Sequence, residues 1–308
     1  MALYLVTGGC GFIGSHLVDA LLARGDAVRV LDDLSTGKRD NLDPAAALIV
    51  GDVADPATVA QAIQGVDGCF HLAAIASVEL GNRDWLGTHR TNLTGAITVF
   101  DAARRAKDGM PAAVVYASSA AVYGDSQELP LAETAPTRPL SAYGADKLGC
   151  ELHARVAGAV HGVSTTGFRF FNVYGPRQDP GSPYSGVISI FFNRISAGRD
   201  IIIFGDGGQT RDFINVADVV RALILGMERA SVTAAVFNVC TGRTTSLLEL
   251  AATIGRVFAV EPQIRFEAAR VGDIRASLGN PSKSQTELGF HAETSLEDGL
   301  RRMADQSA

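Results

Sequence analysis

Along the first half of the chain, short runs of Val, Ile and Leu alternate with stretches whose apolar residues recur at helical spacing. The run "LYLVTG" precedes a helical pattern over 12–24, where Ile13, Leu17, Ala20, Leu21 and Arg24 share a face and Gly25 is placed to end the helix. "AVRVLD", "LIVGDV", "GCFHLAA", "AAVVYASS" and "TTGFRFF" repeat the strand signal, and Asp55 with Pro56 opens a helix over 55–64 that Gly65 closes. Strands that are apolar on both faces and alternate with helices predict a parallel sheet covered on either side. The expected fold is therefore α/β, a Rossmann-like doubly wound sheet.

Beyond about residue 172 the alternation becomes irregular. "GPRQDPGSPYSG" reads as a loop, "DIIIFGDGGQTRDF" as short strands with turns, and helical patterns recur near 217–229, 246–259 and 295–306. A chain of 308 residues with 47% apolar content is long enough for a second core. The expected division is a first domain over 1–172, rejoined by a segment near 212–240, and a smaller mixed α/β domain drawn mainly from 173–308.

Charge narrows the chemistry. A net charge of −6, with no Lys/Arg run longer than a pair, provides no footprint for a nucleic acid or an anionic membrane. Small-molecule chemistry is the expectation. Cys10, Cys69, Cys150 and Cys240 are far apart without a C-x-x-C pair, so neither a metal site nor a disulfide framework is expected. "MALYLVTGG" enters an apolar strand without a basic n-region or cleavage site, which reads as an unexported, cytoplasmic protein.

"VTGGCGFIG" closes the first strand and opens the first helix. Gly9, Gly11 and Gly14 match G-x-G-x-x-G, and Gly8 also gives the G-x-x-G-x-x-G variant. Glycines let the backbone approach a pyrophosphate, which then meets free N–H groups at a helix N-terminus, here at Gly11, Phe12, Ile13 and Gly14. Asp32 ends the second strand 18 residues beyond Gly14, where a carboxylate accepts from an adenosine ribose and repels a 2′-phosphate. NAD is thereby expected over NADP, with Asp33 as a second carboxylate. Asp52 and Val53 end the third strand and Leu72, Ala73 and Ala74 the fourth, at the carboxyl edge where such sheets hold ligands. His71 reads as structural.

The fifth strand ends "VVYASSAAVYG", which puts Ser118 and Ser119 at the same edge, and "SAYGADK" sets Tyr143 and Lys147 four apart on a helical pattern. Residues i and i+4 share a helix face. With six tyrosines and four lysines in the chain, this spacing would arise by chance in roughly one such sequence in twelve. A phenol titrates near 10, so a base working near neutrality needs about 4 kcal/mol of preference for phenolate. A lysine charge at ~4 Å and an effective dielectric of ~20 supplies about that much before desolvation opposes it.

The hydroxyl at the strand end, the Tyr-x-x-x-Lys helix and the glycine fingerprint together resemble the short-chain dehydrogenase/reductase superfamily. "TGGCGFIG", "HLAA", "SSAAVYG", "YGADK", "RFFNVYGPRQ" and "GDGGQTRDF" resemble its extended branch, and nearly the whole chain is similar to the UDP-hexose 4-epimerases, nearest to those acting on UDP-N-acetylglucosamine. The resemblance implies a tightly held NAD contacted also by Tyr143 and Lys147, a UDP-sugar substrate, a catalytic set of Ser119, Tyr143 and Lys147, and a homodimer through a four-helix contact, two helices from each protomer. The apolar stripes Leu93, Ala96, Ile97, Phe100, Ala103 and Leu148, Leu152, Val156, Ala159, Val160 would be its faces. Related dehydratases and decarboxylases carry an acid just before V-Y-G, where this chain has Ala120 and Ala121, so elimination lacks its proton donor.

By the same resemblance Ser77, Asn172, Arg211, Arg270 and Asp273 would contact the nucleotide sugar. Ser277 falls where UDP-glucose epimerases tend to carry a tyrosine. A small residue there leaves room for a 2-N-acetyl group, so UDP-GlcNAc/UDP-GalNAc is the expected pair, with UDP-Glc/UDP-Gal as a possible second. Glu79 and Leu80 depart from the Pro and Arg of close N-acetylhexosamine epimerases. Two other readings stay open: a net dehydrogenase or reductase that releases its cofactor each cycle, and an NAD-binding sensor or scaffold without turnover.

Overall fold

A computed structural model of the protein describes residues 1–178, 186–269 and 274–306. In the first half, β1 (Leu3–Thr7), β2 (Ala27–Asp32), β3 (Ala47–Val50), β4 (Gly68–His71), β5 (Ala113–Ser119) and β6 (Thr165–Phe170) alternate with helices. These are α1 (Phe12–Ala23), α2 (Pro56–Ile63), α3 (Val78–Arg83), α4 (Trp85–His89), α5 (Gly95–Ala103) and α6 (Ala142–His161). A π turn over Arg90–Thr94 joins α4 to α5, and a 3-10 turn over Ala120–Tyr123 follows β5. The second half continues with β7 (Asn172–Tyr174), α7 (Val187–Ser196), β8 (Ile201–Phe204), β9 (Thr210–Arg211), β10 (Phe213–Asn215), α8 (Val216–Glu228) and β11 (Ala235–Val239). It ends with β12 (Thr245–Ser246), α9 (Leu247–Phe258), β13 (Ile264–Glu267), α10 (Ser282–Leu288) and α11 (Leu296–Asp305).

Seven strands form one sheet in the order β11-β6-β5-β4-β1-β2-β3, and β1 to β6 pair in parallel. Strand order reverses between β1 and β4, which makes this a doubly wound α/β sheet with its switch point beside the glycine-rich turn. Every residue of β4 and β6 is buried, as a sheet covered on both faces requires. Leu5, Leu31, Cys69 and Val114 of the sheet pack with Val59 and Ile63 of α2, Val99 and Phe100 of α5, and Ala154 of α6. Each such fully buried large side chain contributes about 1.5–3 kcal/mol. Asp55 caps α2 by accepting from the Thr58 amide, with Pro56 at the first helical position.

The chain divides into two compact units. The first comprises Met1–Gly124, Pro136–Phe170 and Val220–Phe237, and the second Asp125–Ala135, Phe171–Val219 and Asn238–Ala308. This differs from the expected division chiefly at Asp125–Ala135. There, Leu131 donates to Leu278 and accepts from Asn280, and Glu133 accepts from the Asn238 amide at 2.7 Å, so long-range bonds assign the segment to the second unit. That unit has its own core of Tyr174, Ile188, Phe191, Ile201, Ile203, Leu250, Ile254 and Leu300. Three two-stranded pairings support it, β10 with β7, β12 with β9 and β13 with β8. α7 and α10 add to the helices expected from the pattern. α10 is short and buries only Ser284 and Leu288, which leaves no apolar period to read.

The two apolar stripes behave differently. Ala96, Phe100 and Ala103 are buried in the core, whereas Leu152, Val156 and Val160 of α6 are 55%, 48% and 68% exposed. Among the described residues, no helix is long and apolar enough to cross a membrane.

Candidate active site

The turn between β1 and α1 is shaped by close backbone approach. A Cβ on Gly14 would stand 2.1 Å from the carbonyl oxygen of Gly8, and a Cβ on Gly8, whose φ is +72°, would stand 2.7 Å from the Ala73 nitrogen. No side chain caps α1 at Gly11, so the first-turn amides of Phe12 and Ile13 keep the positive end of the helix dipole uncapped by any side chain. Backbone cradle and bare helix start together suit a diphosphate. Leu72 and Ala73 are held beside it by Thr7, whose hydroxyl oxygen accepts from both amides at 3.2 Å, and Ala74 follows them.

The same Thr7 hydroxyl lies 2.8 Å from His71 Nδ1. With its lone pairs taken by two amides, Thr7 donates its proton, so Nδ1 accepts and the ring is neutral with its proton on Nε2. Burial, and then the charge of Lys147, depress His71 to about 3, consistent with a structural neutral imidazole.

Asp32 is buried, and its two oxygens accept from the amides of Cys10 and Leu34, each at 2.9 Å. Burial raises its pKa while these two bonds oppose the shift. Lone pairs remain for two hydroxyls of a ribose. Asp33 is exposed and closes an Asx turn on Ser35. Asp52 accepts from the Ala54 amide and pairs with Arg90 at 2.7 Å, and Val53 packs into the core against Gly95.

Ser119 ends β5 and caps the following 3-10 turn, its oxygen accepting from the Ala121 amide at 3.1 Å. Tyr143 and Lys147 lie one turn apart at the start of α6, which Ser141 caps, and the Lys147 ammonium sits 5.8 Å from the Tyr143 ring centroid. Lys147 is 1% exposed, and no carboxylate among the described residues pairs with it. A buried ammonium is costly without acceptors, and the hydroxyls of a nicotinamide ribose are the kind of acceptor it suits.

Ser77 is buried and caps α3 by accepting from Leu80, so its oxygen already has one structural bond. Asn92, overlooked in the sequence, holds the preceding loop. Its amide group accepts from Ile75 N at 2.8 Å and donates to Ile75 O at 3.1 Å, imitating a strand pair from within the π turn.

In the second unit, three of the expected substrate residues converge on one short stretch. The Asn172 amide and side chain both donate to the Asp212 carbonyl, Arg211 precedes it, and the Ser277 amide donates to Thr210 O at 3.1 Å. Asp212 organises this cluster and was not singled out from the sequence, although it adjoins Arg211. Its fully buried carboxylate accepts from Thr241 N and Oγ1, Gly242 N and Gly279 N. Arg270 and Asp273 lie outside the described residues.

The NAD dependent epimerase/dehydratase family matches residues 4–240. The UDP-glucose 4-epimerase of Mycolicibacterium smegmatis is 36% identical over 98% of this chain and 97% of its own. Among solved structures, the UDP-glucose 4-epimerase of Thermotoga maritima with UDP-glucose superposes with a TM-score of 0.93 at 34% identity, covering 98% of this chain and 97% of that one. The UDP-N-acetylglucosamine 4-epimerase of Methanobrevibacter ruminantium M1, in complex with UDP-N-acetylmuramic acid, gives 0.92 at 35% identity over 99% and 97%. With the doubly wound sheet, the glycine cradle and the Tyr143–Lys147 helix all in place, the chain belongs to the NAD dependent epimerase/dehydratase family and uses NAD.

Proposed function

We propose that the protein is a UDP-hexose 4-epimerase, inverting the sugar C4 through a transient 4-keto intermediate, with UDP-GlcNAc/UDP-GalNAc as the favoured pair. The observation that carries this reading is Ser119 at the carboxyl end of β5 together with Tyr143 and Lys147 on α6, in a chain that matches UDP-hexose epimerases end to end. Bound NAD supplies a hydride acceptor and donor at C4. Gly8, Gly11, Phe12, Ile13 and Gly14 would hold its diphosphate, Asp32 and Asp33 its adenosine ribose, and Asp52, Val53 and Leu72–Ala74 the flanking surfaces. Tyr143 takes the proton of the C4 hydroxyl and later returns it, with the Lys147 ammonium 5.8 Å from the centre of its ring, and Ser119 hydrogen-bonds the same oxygen. Ala120 and Ala121 follow Ser119 and carry no acid, which favours epimerisation over elimination.

Incubation with UDP-GlcNAc, and separately with UDP-glucose, without added NAD distinguishes the readings. Appearance of the C4 epimer supports an epimerase, turnover only with added NAD a dehydrogenase, and no product a sensor or scaffold.

Substrate preference rests on Ser277. It is half-buried and bonded through its backbone beside Arg211, in the same unit as Asn172, and these residues, with Ser77, Arg270 and Asp273, are proposed to bind the nucleotide sugar. Ser277→Tyr should lower kcat/KM for UDP-GlcNAc by about 10- to 200-fold, the range available to a steric pocket, while turnover of UDP-glucose is kept. Equal losses on both substrates would exclude this role.

The exposed Leu152, Val156 and Val160 support a homodimer through α6, since a large apolar face on a helix is otherwise left in water. Val156→Glu should convert the dimer to a monomer in sedimentation equilibrium, and a monomeric wild type would end this proposal.

A further inference from the structure

Outside the residues given catalytic roles, Glu151 and Arg169 of the first unit form a buried ion pair. The Glu151 and Arg169 side chains are 5% and 7% exposed. Arg169 grips the carboxylate with both arms of its fork, Nε to Oε1 at 2.8 Å and Nη2 to Oε2 at 2.7 Å. A buried pair of this kind contributes little net stability compared with apolar residues of the same size, because both charges lose their water. Its use must be sought in what it holds in place.

Two further contacts answer that. Ser118 Oγ donates to Glu151 Oε1 at 2.6 Å, and Arg169 Nη1 donates to the Tyr123 hydroxyl at 2.9 Å while its guanidinium lies 4.8 Å from the Tyr123 ring centroid. Ser118 and Tyr123 are the two ends of the segment that carries Ser119 and its 3-10 turn. Glu151 is on α6, one turn after Lys147 and two after Tyr143. Arg169 is on β6, paired with Ser118 in the sheet register. A single ion pair thus clamps the Ser119 turn at both ends and ties it to the helix bearing the phenol and the ammonium.

We infer that Glu151 and Arg169 are positioning residues that set where the Ser119 hydroxyl lies relative to the Tyr143 hydroxyl, an inference that rests on the epimerase reading for its kinetic consequence. Two groups that must meet one sugar oxygen tolerate little error. A displacement of about 1 Å can cost about 100-fold in rate. The bidentate fork has one geometry, which an apolar pair of the same volume does not reproduce.

The test uses the full-length protein with UDP-glucose and UDP-GlcNAc. Glu151→Gln combined with Arg169→Met should lower kcat about 100-fold with KM changed less than about threefold and NAD content unchanged. Its crystal structure should have the 119–122 turn displaced from α6. Ser118→Ala and Tyr123→Phe each remove one end of the clamp without burying a charge, and should each lower kcat about tenfold at unchanged KM, a fraction of the full displacement cost. If the double variant fails to fold, these two decide. Wild-type kcat in the single variants, or an unmoved turn in the crystal, would overturn the inference. A wild-type protein that epimerises neither sugar defeats the epimerase reading instead, and the crystal comparison then still decides the clamp.

Discussion

Tyr143→Phe should lower kcat on UDP-glucose or UDP-GlcNAc by about 100- to 10,000-fold, the range attributed to a positioned general base. The substitution removes one oxygen and keeps the ring that packs near the Lys147 ammonium. α6 is capped by Ser141 and anchored in the core through Cys150 and Ala154, so the helix does not depend on the phenol. NAD content after gel filtration should therefore match wild type, and the KM for the sugar nucleotide should move little. Loss of turnover with NAD retained assigns the proton transfer to this hydroxyl. Near-normal turnover would remove Tyr143 from the chemistry, and with it the mechanism proposed for the family motif in this chain.

Gly14→Ala should abolish NAD retention, leaving less than about a tenth of the wild-type content, and lower thermal stability by about 1–3 kcal/mol as overpacked sites do. The new Cβ would stand 2.1 Å from the Gly8 carbonyl oxygen and 2.8 Å from the Gly9 α-carbon, both backbone atoms that no rotamer change can relieve. Either α1 moves away from β1 or the turn opens. In both cases the amides at the helix start leave the point where they converge. Absorbance of released nucleotide after denaturation reads the cofactor, and a thermal melt reads stability. A variant that keeps its NAD would mean that the turn is softer than its contacts imply.

The alternating sheet and helices, the glycine turn after β1, the acid ending β2 and the Tyr143–Lys147 pair were all legible in the chain, because each is a local pattern with a fixed period or spacing. The strand ends carrying Ser119 and Ala73 followed from them, since parallel βαβ connections bring all carboxyl ends to one edge. α10 and the π turn at Arg90–Thr94 carry no such period and were not legible.

Sequence alone thus determined the fold class, the NAD fingerprint and which side chains share the α6 face. It could not reveal that Glu151 meets Arg169, that Asn92 clasps Ile75, or that Asp212 gathers the loops beside Arg211, since each partner lies 17 or more residues away. Nor could it separate the two apolar stripes, one turned to the core and the other to solvent. Periodicity says that a helix has an apolar face, and only packing against the sheet decides which faces are left for water or for a partner. Buried polar groups need specific long-range acceptors, and those exist only once the chain has closed on itself.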